Sequence, residues 1–222
     1  MNVSEAVTTR RSIRAFIDKP VDMDMLRQLI ALAGRAPSGG NLQPWAIHVV
    51  SGAAMTSLKA IMRARLAEAP FGDPPDYAVY PQPLGEPYRT RRFEVGEAMY
   101  ERLGIPREDK AARLAWFADN WQFFGAPVGL FLSVRRDHGP PQWSDCGMFL
   151  QTLMLLLREA GLDSCAQEAW SLHHRTVGDF LALAPEQMLF TGMAIGWRDP
   201  DASVNQFEVR RAPLEEWATF LA

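Results

Sequence analysis

The segment TTRRSIRAF, residues 8–16, decides the reading. It sets three guanidiniums, Arg10, Arg11 and Arg14, and the Ser12 hydroxyl within five residues. A guanidinium presents a planar fork of N–H donors that matches phosphate oxygens. In an extended segment alternate side chains share a side, so Arg10, Ser12 and Arg14 would line one surface. A solvated basic stretch fits the same spacing, and the cluster alone leaves both readings open. A second cationic pair, Arg210-Arg211, completes such a phosphate site only if the C-terminal tail folds back.

Outward from this segment the chain reads as helices with a few separated strands. Residues 3–8 suit a short helix with Ser4 as N-cap, and Asp22 or Asp24 caps a second in which Met25, Leu26, Leu29, Ile30 and Ala33 share one face. WAIHVV (45–50), PVGLFLSV (127–134) and Leu189 to Ile195 are strand candidates. Residues 53–68, 88–103 and 106–121 read as helical. A further helix starts at Ser144 or Asp145, ends at Glu159 and is stopped by Gly161. It is apolar around most of its circumference, a pattern that calls for burial on all sides and points to a subunit interface. Residues 70–87 hold six prolines and form no regular element. A structureless stretch of that length in a compact domain is commonly functional, and a lid is expected there. The tail from Pro200 is extended, then weakly helical over 214–220.

Bulk properties narrow the classes. The 222 residues suffice for one sizeable core, with 48% hydrophobic and 22% charged residues. A net charge of −3 gives no global attraction to nucleic acid or anionic membrane, so any bound anion needs a local cationic cluster. Cys146 and Cys165 are too few for a disulfide framework and lack the ligand count of a zinc site. His173-His174 has no partner at ligand spacing, and no metal is expected. The first residues carry no apolar signal segment, and the run 147–157 is well short of the ~20 residues of a membrane helix. A reduced cytoplasmic setting is the expectation. No GxGxxG, Walker or GxSxG motif is present.

APSGGNLQPW (36–45) supplies small residues that let backbone approach a planar ligand, with hydrogen-bonding groups on Ser38, Asn41 and Gln43. Alone it is a polar turn. Taken in order with TTRRSIRAF, GLDSCAQEAW (161–170), GMAIGWRDPDASVNQF (192–207) and RRAPLEEW (210–217), it gives a chain that resembles the nitroreductase family from about Asn2 to Trp217. Residues 60–118 are the least typical part, and the branch resembled most is that of nitroaromatic reductases.

The resemblance implies an α+β fold, a three-layer α/β/α sandwich with a mostly antiparallel sheet, built as one domain over 1–222 in an intertwined homodimer. It implies a lid or insertion around 68–118 and a C-terminal extension, 200–222, reaching the partner. The implied cofactor is FMN. Arg10, Arg11, Ser12, Arg14 and Arg211 would hold its phosphate and ribityl chain. Pro37, Ser38, Gly39, Asn41 and Gln43 would approach from the other subunit, and Gln167, Glu168 and Ala169 would lie along the ring. The family often has Gly at position 169 and Ser at position 39. Many members place a lysine near the flavin pyrimidine; none precedes Gly125-Ala126-Pro127 here, which leaves Asn120 and Gln122 as the nearest polar candidates. The implied activity is ping-pong reduction of nitroaromatic or quinone-like acceptors by NADH or NADPH, with chemistry carried by the flavin and no catalytic side chain. Candidates for the pocket wall are Tyr77, Tyr80, Tyr88, Phe123, Phe124 and Trp143, with Phe123 and Phe124 equally readable as core. A flavin-fragmenting or dehalogenating relative, or a non-catalytic flavin-binding protein, shares the same phosphate motifs.

Overall fold

The structure is a computed structural model that describes residues 1–206 and 208–221. Phe207, the last residue of the 192–207 motif, and Ala222 lie outside the described residues. Strand β3 (Val128–Arg135) is buried over its first seven residues, which places it in the middle of the molecule. It pairs antiparallel with β2 (Ala46–Ser51) on one side and with β5 (Gln187–Arg198) on the other. The far side of β5 pairs with β4 (Asp163–Gln167), and its end pairs with the two-residue β1 (Phe16–Ile17). All these named pairings are antiparallel.

Two-residue periodicity divides the core into the two sides of a sandwich. Val128, Leu130, Leu132 and Val134 of β3 pack with Leu26 and Ala33 of α2 (Met23–Ala33) and with Phe149, Leu153 and Leu157 of α6 (Pro140–Glu159). Phe131 faces the opposite way. It joins Met55, Leu58 and Met62 of α3 (Gly52–Glu68), Val177 of α7 (His174–Leu181), Trp121, Phe123 and Trp170. The expected α/β/α sandwich is therefore present, with the sheet between two helical layers.

Glycines on this second side make room for aromatic rings. A Cβ at Gly129 would lie 2.3 Å from the Phe123 ring, and one at Gly192 would lie 2.3 Å from Trp170. The vacated space lets Phe123 and Trp170 approach to 4.5 Å between ring centroids, with Phe131 edge-on to Trp170 at 4.9 Å. Phe123 and Phe124 hold left-handed backbone, φ 51° and 53°, which bulky residues rarely adopt and which the surrounding packing must impose. Both are buried, so they belong to the core and not to a pocket wall.

Several expected boundaries move. The first helix, α1 (Val3–Thr9), is capped by Asn2 and not Ser4: the Asn2 side chain accepts from the Glu5 N–H at 2.9 Å, and Glu5 accepts from the Asn2 N–H at 2.8 Å. Helix α6 starts at Pro140, because proline in the first turn gives up only an N–H that has no helical partner. Within this chain α6 is buried on one side only: Met148 and Gln151 are exposed. The helix expected over 106–121 is α5 (Lys110–Ala118) followed by a 3₁₀ segment, Asp119–Gly125. The helical tail shrinks to one turn, Leu214–Glu216. Strand β4 was not expected at all; its sequence is polar, and it is buried only because β5 and the N-terminal segment flank it.

The 70–87 segment has no helix or strand, as its prolines require, but its first half is fastened down. Asp73 is buried, pairs with Arg65 at 2.9 Å and accepts from the Arg175 backbone N–H at 3.3 Å. Asp76 meets Arg136 at 3.0 Å and the His174 Nδ1 at 3.2 Å, while His174 Nε2 lies 3.0 Å from the Pro74 carbonyl. Tyr77 donates to the Phe190 carbonyl and packs between Trp143 and Phe190. Burial pushes its phenol above the ordinary 10. The following helix α4 (Tyr88–Arg102) has no buried residue.

Candidate functional site

The basic segment is extended, as the alternation requires. Ser12 bridges to Ser164 of β4, and Ile13 donates to the Ser164 carbonyl at 3.1 Å. Ile13 is fully buried while Ser12 is exposed, so one side of the segment is nailed into the sheet and the other faces outward. The Arg14 N–H donates to the Asn205 side chain at 2.9 Å, which in turn donates to Ala15 and Asp199 carbonyls. That clasp brings the 199–206 turn back onto the N-terminal segment.

The charges that gather there are not matched. Arg10 is held below its ordinary 12.5, first by burial and then by repulsion from Arg211, so the tail does fold back beside it. Buried Cys165 lies close enough for both Arg10 and Arg14 to pull its thiol down against a larger upward push from burial. Among the described residues no carboxylate pairs with Arg10, Arg14 or Arg211. Arg11 differs: it holds Glu208 at 2.6 Å. A concentration of guanidiniums without carboxylate partners suits an anion.

The Gln167–Ala169 segment lies on the same sheet edge, since β4 runs from the bridge at Ser164 to Gln167. The Gln167 side chain turns inward, donating to the Asn120 carbonyl at 2.8 Å and accepting from Trp170 Nε1 at 3.4 Å. Trp121 Nε1 donates to the Ala169 carbonyl at 3.3 Å. These bonds fix the backbone of the segment and leave Glu168 exposed. Gln122 is engaged inside the chain, with Lys59 and Trp121 carbonyls accepting from its amide and Arg63 donating to it. A lysine does reach this neighbourhood: Lys59 Nζ donates to the Ala126 carbonyl at 3.1 Å. The sequence reading missed it because it arrives from α3, far from Ala126 in the chain.

The 36–43 loop is a built turn. Gly40, Asn41 and Gln43 take left-handed backbone (φ 58°, 57° and 50°), a conformation glycine and asparagine tolerate best. The Ser38 hydroxyl accepts from the Gln43 N–H at 3.0 Å, and the Gln43 amide donates to the Asn41 side chain at 3.1 Å. Buried Asp145, which the sequence marks only as a candidate helix start, accepts from the Gly39 N–H, with both oxygens at 3.3 Å, and anchors the loop. Pro37, Gly39, Asn41 and Gln43 are exposed.

This loop and the arginine cluster do not meet within one chain. The loop touches α6 at Asp145, whereas Arg158 near the other end of α6 donates to Thr9, next to Arg10. Those contacts are thirteen helical positions apart, about 20 Å along the helix. Leu42 in the loop is exposed, as are Leu32 and Met148 on the helices that adjoin it. Among the described residues, no group of His, Cys, Asp and Glu could hold a metal, and no helix is long and apolar enough to cross a membrane.

The model of a family described as the nitroreductase family matches residues 7–197. The chain is 37% identical to a nitrobenzene nitroreductase of Ectopseudomonas oleovorans, over 99% of this chain and 96% of that one. Among solved structures it superposes with TM-score 0.97 and 48% identity on the FMN and NADPH-dependent nitroreductase NfnB of Sphigopyxis sp. strain HMH, covering 100% of both chains. The FMN-dependent nitroreductase NfnB of Mycobacterium smegmatis, solved with NADPH, gives TM-score 0.93 at 31% identity, covering 99% of this chain and 97% of that one.

Proposed function

Because the chain belongs to the nitroreductase family, we propose that it is an FMN-dependent oxidoreductase that draws electrons from NADPH or NADH and reduces nitroaromatic or quinone-like acceptors. The observation that carries this reading is the unpaired Arg10, Arg14 and Arg211 cluster beside the Gln167–Ala169 edge. It fits the phosphate of FMN: a doubly charged anion would offset the burial, and then the repulsion from Arg211, that hold Arg10 down, and the guanidinium forks suit its oxygens. Bound FMN supplies the electron transfer, passing reducing equivalents from nicotinamide to acceptor. The protein's part is to bind, orient and exclude water. The backbone of Gln167–Ala169, fixed by Asn120, Trp121 and Trp170, presents a rigid edge for a planar ring.

The functional unit is a homodimer in which the 36–43 loop of one chain completes the site of the other. The 200–222 extension, after its contacts with Arg14, Arg11 and Arg91 of its own chain, reaches across through its exposed end at Phe220 and Leu221. The separation of loop and arginine cluster along α6 supports this, as does the exposed apolar face around Leu42 and Met148. Residues 68–118 act as the lid. Its root, 73–77, is riveted to α3, α7 and β5, and its far end rests Trp116 and Phe117 on Phe124 and Trp121, so movement belongs to residues 78–109.

Anaerobic addition of NADPH to the purified yellow protein is the test. Flavin absorbance that bleaches, then returns with a nitroarene at a rate showing parallel double-reciprocal lines, supports the reading. A protein that neither carries nor takes up FMN contradicts it. Shortening the loop within 78–87 should leave FMN bound while changing KM and acceptor preference; loss of FMN or of the fold would make the segment structural.

A further inference from the structure

A groove of about 1260 Å³ runs between α4 and the tail, with residues 208–213 on one wall. It contains Arg211 but none of Arg10, Ser12 or Arg14, so it adjoins the phosphate cluster without being the same place. Four guanidiniums line it, those of Arg91, Arg92, Arg210 and Arg211, facing the carboxylates of Glu94, Glu208 and Glu216. Two of those carboxylates are occupied: Glu208 holds Arg11 at 2.6 Å and Glu216 holds Arg91 at 2.6 Å. Glu94 lies two positions from Arg92 on the helix, a spacing at which side chains do not face each other. Among the described residues, Arg92 and Arg210 have no carboxylate partner.

The groove also offers aromatic surface. Arg92 stacks over Tyr80, 4.2 Å from the ring centre, which presets its position. Trp217 is 68% exposed yet fixed, its indole N–H donating to the Ala212 carbonyl at 3.3 Å. An open, immobilised indole beside unpaired guanidiniums suits a purine carrying phosphate.

We infer that this groove takes the adenosine end of NADPH and that Arg92 and Arg210 bind its 2′-phosphate, so that the chain discriminates NADPH from NADH. The inference rests on the reading above that a pyridine nucleotide is the reductant. Arginine is the residue that accommodates a 2′-phosphate in dinucleotide sites generally, where a carboxylate would select the free ribose hydroxyl. NADPH fits because the groove begins at Arg211, beside the phosphate cluster, and leads away toward Tyr80.

The test uses the FMN-loaded protein. Calorimetry with 2′,5′-ADP, 5′-AMP and inorganic phosphate should show tighter binding of 2′,5′-ADP than of either other probe, by about tenfold, the scale of one charge-assisted hydrogen bond. The Arg92→Gln/Arg210→Gln double variant should lose that difference. In steady-state kinetics the ratio of kcat/KM for NADPH to that for NADH should fall about tenfold or more in the same variant. Equal binding of 2′,5′-ADP and 5′-AMP, or a kinetic ratio unchanged in the double variant, overturns the inference while leaving the reductase reading intact. Inorganic phosphate binding as tightly as 2′,5′-ADP also overturns it, since the site would then be a generic anion patch. If neither nucleotide reduces the bound flavin, the proposed function fails, and the calorimetric comparison still decides the groove.

Discussion

Strand β3 and the arm formed by α4 and α5 are built on opposite terms. In β3 seven of eight residues are buried, whereas α4 and α5 bury none. The strand is held by apolar burial and close packing, forces that fix one geometry. The arm touches the core through α5, which rests Trp116 on Phe124 and Phe117 on Trp121. Beyond that it is held by polar pairs: Arg113 grips Glu97 through two bonds at 2.6 and 3.1 Å and lies over the Tyr100 ring, and Arg91 reaches Glu216 on the tail. Such exposed pairs contribute little and weaken in salt. The contrast teaches where each task sits. On the proposed function the sheet carries the cofactor edge and must not move, whereas α4 borders the groove and belongs to the lid that admits different acceptors.

The largest effect should come from breaking the core. Phe123→Ala removes a ring that meets Phe131 and Trp170, and about 3–5 kcal/mol of stability should go with it. Denaturant unfolding measures this; a loss under about 1 kcal/mol would mean the neighbouring rings collapse into the vacated space. Gly192→Ala should cost about 1–3 kcal/mol, because the new methyl meets Trp170. A neutral result would show that the ring moves aside freely.

The arm should respond to conditions that leave β3 untouched. Its ion pair with Arg113 holds the Glu97 carboxyl below its ordinary 4.5. A depressed carboxylate stabilises fully above that value, and its contribution fades as acid protonates it. Hydrogen exchange, corrected for intrinsic rates, should therefore show α4 and α5 losing protection first as pH falls, and Glu97→Gln should bring the same loss at neutral pH. Equal loss in β3 would erase the contrast. The smallest effect is a null: burial pushes the Cys146 thiol up to about 12, so thiol reagents at neutral pH should label it only after unfolding.

Sequence gave away the parts whose physics is local. The runs 45–50, 127–134 and 189–195 are apolar enough to be strands wherever they sit, and the arginine cluster alternates around Ile13 as an extended segment must. Strand β4 stayed hidden because Asp163, Ser164 and Gln167 are buried by partners distant in the chain, Asp163 through Arg198 at 2.5 Å. The contacts of Lys59, Asp145 and His174 are not legible for the same reason, although Asp145 reads as a helix start and His174 is weighed as a metal ligand: each acts on a residue more than 60 positions away. The Pro-rich stretch was read correctly as irregular, yet nothing local reveals that Asp73 and Tyr77 bolt its first half to the body.

The central claim is that one flavin site needs two chains, and mixed dimers test it most directly. One chain would carry Arg10→Ala with Arg14→Ala, and the other Ser38→Ala with Asn41→Ala. Each variant alone should bind FMN poorly. In the heterodimer one site collects both defects and the other collects none, so binding should return at one FMN per dimer. If the arginine cluster and the loop served the same site within a chain, every site in the heterodimer would carry a defect, and no recovery of FMN would be seen.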